Sequence, residues 1–141
     1  MQTPFQLLGE EKIHQLARAF YHAMETLPEA AGIRAMHAKD LGPISDTLAE
    51  YLMGWMGGPP RYHERKGTVC LTDPHAAYHI GPDETEQWLL CFDAALDAIN
   101  ASDDVKKMLH TPIRQVAAAV QNRDHSNAAE QDPNIIAVGR I

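Results

Sequence analysis

The stretch Asp73–Cys91, DPHAAYHIGPDETEQWLLC, decides how the rest of the chain is read. It sets His75 and His79 four residues apart, closes them off with Ile80-Gly81-Pro82, and restarts as a helix carrying Trp88. Thr72-Asp73-Pro74 is a helix start, with Thr or Asp as cap and proline early in the first turn, and Gly81-Pro82 keeps that helix short. From Asp83 to Asn100, Trp88, Cys91, Phe92, Ala95, Leu96 and Ile99 share one face, with Glu84, Glu86, Asp93 and Asp97 toward water. The two histidines are then a metal-binding pair, a single axial ligand with a bystander, or polar surface. A zinc site needs three or four ligands, and no third stands at a recognisable spacing. His-Ala-Ala-Tyr-His also lacks the glutamate that a helical metalloprotease carries beside its first histidine. An axial ligand and a surface histidine both stay open on the residues alone.

Working outward, the same 3.6-residue period recurs. Ile13, Leu16, Ala17, Phe20, Met24 and Leu27 form one face of a helix over 9–27, with Glu10 and Glu11 in its first turn. Pro28 stops it, a short helical piece spans 29–36, and His37 to Pro43 forms an irregular corner. The next helix starts near Ile44, runs through Leu48, Tyr51, Leu52 and Trp55, and ends at Gly57-Gly58-Pro59-Pro60. Residues 61–74 have little periodicity and read as a long connection. A last helix runs from about Asp103 to Asn122 through Val105, Met108, Leu109, Ile113, Val116, Ala117 and Val120, kinked at Pro112. Residues 124–141 read as a patternless, disordered tail behind one domain over 1–123. No alternating run is long enough for a strand, so the class is all-α.

Composition narrows the chemistry. A net charge of −7 lacks the basic face that phosphate contacts require, which argues against nucleic acid. Two cysteines, Cys70 and Cys91, form no C-x-x-C motif and no disulfide framework, as expected in a reducing cytoplasm. MQTPFQLLGEEK is not a signal segment, no window is apolar enough to span a membrane, and a soluble, unexported protein is expected. There is no G-x-S-x-G elbow, and Gly57-Gly58 follows a helix instead of opening one, so it is no phosphate loop.

The ordered pieces "AFYHAM", "HAKDL", "WMGGPPRYHERKG", "PHAAYHIG" and "EQWLLC" resemble the truncated haemoglobins, in particular their second group. The resemblance runs from about Leu7 to Asn122 and implies a two-over-two sandwich of helices around haem b, with the proximal helix cut to about a turn. It makes His75 the proximal iron ligand, ahead of Tyr78-His79-Ile80, with His79 a bystander. It makes Tyr21, after Phe20, and Trp88 distal hydrogen-bond donors, and sets His37 over the haem at the corner. Ile44 and Leu48 then face the sixth coordination site, and Phe20, Tyr78 and Ile80 join the haem pocket. From pattern alone, Trp88 and Tyr21 also fit plain packing roles, and His37 also fits solvent.

Two departures stand out. Where the family often carries basic residues for the haem propionates, this chain has Pro74 before the histidine and Thr47 or a neighbour on the distal helix; Arg61, Tyr62, Arg65 and Lys66 are the substitutes at hand. The function implied is reversible binding of O2, NO and CO, with NO turnover or peroxide chemistry where a partner reductase supplies electrons, since the chain has no flavin- or nicotinamide-binding segment. The alternative is a cofactor-free helical interaction module working through an apolar stripe or Ile135–Val138. The two differ in whether the space among Phe20, Tyr21, Leu48, Ile80 and Trp88 is filled by side chains. With only three Phe and alanine-rich helices, the chain has little bulk to fill it.

Overall fold

Seven α-helices and one 3-10 turn, with no strand, make up the described part of the chain. The computed structural model describes residues 2–67, 75 and 78–122. The elements are α1 (Pro4–Leu8), α2 (Glu10–Thr26), a 3-10 turn (Pro28–Ala30), α3 (Ala31–Arg34), α4 (Gly42–Trp55), α5 (Arg61–Lys66), α6 (Pro82–Ala98) and α7 (Asp103–Val120). The all-α expectation is met. Residues 68–74 of the expected connection, with the Thr72-Asp73-Pro74 helix start, and the tail lie outside the described residues.

Each long helix follows from its apolar stripe. On α2, Ile13, Leu16, Ala17, Phe20 and Met24 are buried, together with Tyr21 and Ala23 on the flank. On α6 the buried stripe is Cys91, Phe92, Ala95 and Leu96, and on α7 it is Val105, Leu109, Ile113 and Ala117. The pairs α2/α4 and α6/α7 are joined by the packing of α2 on α6. Fully burying a side chain such as Phe20 or Leu16 contributes about 1.5–3 kcal/mol, so this shared core is the main source of stability.

Local chemistry sets the boundaries. Ser102 caps α7 by accepting from the Val105 N–H at 3.2 Å. Lys12 Nζ donates to the Ile99 carbonyl at 3.0 Å, at the C-terminus of α6 where a cation is favoured. Asp40 Oδ1 accepts from the Gly42 N–H at 2.9 Å and turns the chain into α4, which starts two residues before Ile44 with Pro43 in its first turn. α7 continues through Pro112, which lies on its exposed side.

Two elements escape the periodicity argument. α1 is only five residues, but Thr3 and Gln6 form a reciprocal capping box, with the Gln6 N–H on Thr3 Oγ1 at 3.1 Å and the Thr3 N–H on Gln6 Oε1 at 2.9 Å. α5 lies within the segment expected to be a connection. It is held by burial of Tyr62, whose ring meets Tyr51 edge-on at 5.6 Å, and it is ended by Gly67 in the left-handed conformation at φ 76°. A single anchored aromatic is too little to register as a period.

Gly57-Gly58 ends α4 and also seats α1. Gly57 takes φ 97°, and a Cβ on Gly58 would come within 2.4 Å of the Phe5 ring. The Phe5 N–H bonds to the Met56 carbonyl at 3.0 Å, so the ring has little room to retreat. Gly58→Ala is therefore expected to destabilise the fold by about 1–3 kcal/mol, the cost of overpacking. Urea unfolding followed by circular dichroism measures it; an unchanged midpoint would show that α1 is not held against this glycine.

Candidate functional site

α4 and α7 do not pack on one another to any extent; both line a cavity of about 400 Å³. Pockets that take small molecules and cofactors span about 300–1,000 Å³. α4 contributes Ile44, Thr47, Leu48, Tyr51 and Leu52, and α7 contributes Ile113, Val116, Ala117 and Val120. Tyr21 comes from α2, Glu84, Thr85 and Trp88 from α6, and His75, Tyr78 and Ile80 from the segment before α6. Ile33 from α3 and Met36 and His37 just beyond it complete the lining, with Tyr62 and Lys66 from α5.

The residues expected to act together do meet here. His75, Tyr21, His37, Trp88, Ile44, Leu48, Tyr78 and Ile80 all face this one space. Phe20 does not line the cavity. It is fully buried in the core and lies behind the wall, with its ring edge-on to Tyr21 at 4.9 Å and tilted against Trp88 at 5.0 Å. Phe20 follows the α2 stripe into the core, while Tyr21, one step of about 100° further round, turns to the cavity. His79 is buried but does not line the cavity, and it lies beyond the helical turn that holds His75. The part of α7 as a wall is not legible in the sequence: its stripe reads as ordinary core, and periodicity cannot tell a face that meets a side chain from one that meets a space.

The corner carrying His37 is fixed by Arg34, whose guanidinium donates to the Ala38 carbonyl at 3.0 Å and the Lys39 carbonyl at 3.1 Å. His37 Nδ1 lies 2.8 Å from the Ile33 carbonyl oxygen. A carbonyl only accepts, so Nδ1 carries the hydrogen, and Nε2 of the neutral ring is left as an acceptor. Burial holds the His37 pKa below its ordinary value, against the raising effect of the Ile33 carbonyl, and the neighbouring charges of Arg34 and His75 push the same way. The ring is therefore neutral at pH 7.

Tyr21 is buried, with its ring 5.7 Å from that of His37. Burial pushes its pKa well above the ordinary phenol value, so it keeps its proton and remains a donor. Trp88 is stacked on Phe92 at 5.7 Å with an 11° interplanar angle, which fixes the plane of an indole whose N–H can only donate.

The basic residues of α5 divide sharply. Arg61 pairs with Glu10 at 2.9 Å, and Arg65 is bound to Glu50 and reaches Thr47 Oγ1 at 3.3 Å. Neither lines the cavity, whereas Lys66 does so from an exposed position. Of the four substitutes named from sequence, Lys66 and Tyr62 are the two that reach the space.

A profile of the bacterial-like globin family matches residues 3–122. The chain is 25% identical over 121 residues to a group 2 truncated haemoglobin of Bacillus subtilis, covering 86% of this chain and 89% of that one. Among solved structures it is similar to the group II 2-on-2 haemoglobin of Agrobacterium tumefaciens, with TM-score 0.83, 36% identity, and coverage of 88% of this chain and 97% of that one. A thermostable haemoglobin of Thermobifida fusca aligns with TM-score 0.77 and 31% identity over 88% of this chain and all of the other, 100%.

Cys91 is fully buried in the core and is not part of the cavity wall, and burial pushes its thiol up to about 11. At pH 8 only about one part in a thousand would be thiolate, the reactive form. Peptide mapping after a thiol reagent is expected to find Cys91 unmodified in the native protein at pH 8 and modified in urea. Rapid native labelling would place it on an open path to solvent.

Proposed function

We propose that this chain, which belongs to the bacterial-like globin family, holds haem b in the cavity between α4, α6 and α7 and binds O2 reversibly, along with NO and CO. The observation that carries the reading is the shared cavity: one imidazole, His75, faces the same space as Tyr21, Trp88 and His37. The fit is chemical as well as spatial. The apolar walls of Ile44, Leu48, Ile113, Val116 and Val120 suit a flat macrocycle, and the exposed Lys66 suits its carboxylates. A space of about 400 Å³ left open by the side chains supports a cofactor over the helical interaction module, whose other support, Ile135–Val138, lies outside the described residues.

When bound, the haem supplies an iron that takes a diatomic ligand. The chain supplies what surrounds it. His75 would hold the iron, and Tyr78 and Ile80 would pack against the macrocycle. Tyr21 and Trp88 would donate hydrogen bonds into the ligand space, while Ile44 and Leu48 exclude water from it. His37 would have a different part from Tyr21 and Trp88, because its hydrogen-bonded tautomer offers a lone pair. Neutral at pH 7, it suits accepting a hydrogen bond at Nε2. Turnover of NO to nitrate, or reaction with peroxide, would draw electrons from a partner reductase.

The test is the visible spectrum of the wild type, reduced and then exposed to CO, beside His75→Ala. The wild type should show a Soret band that sharpens and shifts with CO, and the variant should lose its protein-specific form. No Soret band and no uptake of added hemin would return the chain to the interaction-module reading. Tyr21→Phe and Trp88→Phe are each expected to speed O2 release by roughly ten- to a hundredfold, the worth of a hydrogen bond to a polarised acceptor. Stopped-flow release measures it, and unchanged rates would make both residues packing groups. Lys66→Ala should speed haem loss by at most about fivefold, since an exposed ion pair contributes little; no change would remove it as a carboxylate partner.

A further inference from the structure

Asn122, just past the C-terminus of α7, reaches across to the backbone on either side of His75's turn. Its Nδ2 donates to the His75 carbonyl at 3.0 Å and to the Tyr78 carbonyl at 2.9 Å. Its Oδ1 accepts from the Ile80 N–H at 3.0 Å, and its own N–H donates to the Ile80 carbonyl at 2.9 Å. Two donors therefore face two acceptors, and one acceptor faces a donor. A flipped amide would set oxygen against both carbonyls and nitrogen against the N–H, so the network itself assigns the orientation.

The Tyr78 N–H bonds to the His75 carbonyl at 3.1 Å, after which Tyr78 is a bend and His79 and Ile80 have no regular structure. Asn122 adds a donor to the His75 carbonyl and serves the Tyr78 carbonyl, from 47 and 44 residues away in sequence. Gln121, its neighbour, meets a different element, with Oε1 3.0 Å from Thr85 Oγ1 on α6.

We propose that Asn122 is a positioning residue: by clamping the His75–Ile80 turn to the end of α7, it sets the direction in which the His75 imidazole enters the cavity. The role rests on the reading of His75 as iron ligand. A ring follows its Cα–Cβ bond, so loosening the backbone turn tilts the imidazole without touching it. Small misplacements of supporting groups are what loosen a preorganised ligand.

The test compares wild type, Asn122→Ala, Asn122→Asp and Gln121→Ala. Haem-loaded protein is examined by resonance Raman in the reduced, ligand-free state and by haem loss to excess apomyoglobin; haem-free protein is examined by amide hydrogen exchange at Ile80. Both Asn122 variants should shift or split the iron–histidine band and lose haem about tenfold faster, roughly the worth of the lost hydrogen bonds. Ile80 protection should fall in Asn122→Ala yet persist in Asn122→Asp, which keeps the acceptor and loses only the donors. Gln121→Ala should leave the band in place. Wild-type band and haem loss in a folded Asn122 variant would overturn the proposal, as would unchanged Ile80 exchange in Asn122→Ala. Asn122→Asp keeps the test decisive if Asn122→Ala does not fold. Failure of the wild type itself to take up hemin would overturn the functional reading, and the positioning role with it, and is recognised before any variant is compared.

Discussion

Everything distinctive in this molecule depends on α2 packing against two partners at once. Ile13, Leu16, Phe20 and Met24 commit one broad face of α2 to the core that it shares with α6 and α4. With α4 and α6 both anchored to α2, α4 is not free to close down on α7, and the space between them persists. Protein interiors ordinarily fill such space to near crystal density. The chain leaves it lined by medium-sized aliphatics and a few polar tips, as a binding cavity requires.

The same constraint explains why neighbouring residues do opposite jobs. Phe20 and Tyr21 are adjacent, yet one is core and the other cavity wall. Phe20 then becomes the support on which Tyr21 and Trp88 rest, at 4.9 and 5.0 Å. Two donors from different helices are thus held against one buried ring, which limits their freedom at small cost in side-chain entropy. On the corner, Arg34 takes up the carbonyls that an irregular segment would otherwise leave open, and His37 is held through Ile33.

The polar rim shows how a departure from a family pattern is absorbed. Thr47, which with its neighbours is where the family resemblance leads one to expect a cation, accepts from Arg65, which is already bound to Glu50. An arginine so engaged has little to offer a ligand. Lys66, one residue on and at the end of α5, faces the cavity instead. α5 therefore matters less for the core than for where it leaves its last side chain.

The sequence by itself determined the helices with long stripes, α2, α4, α6 and α7, because burial of one face imposes a period that can be read without coordinates. It also determined the chemical types available to the site: Tyr21, Trp88, His37 and His75 were legible from residue types placed in order along a family pattern. Only the tertiary structure decided that α1 and α5 are helices, since each is held by a cap or one buried ring instead of a stripe. It decided that Phe20 stands behind the cavity, that His37 presents an acceptor, that Lys66 and not Arg65 reaches the space, and that Asn122 holds the turn of His75. Apart from the His37–Ile33 contact, which is local, these are meetings between residues distant in sequence, and a side chain's partner across such a distance leaves no local periodicity to read.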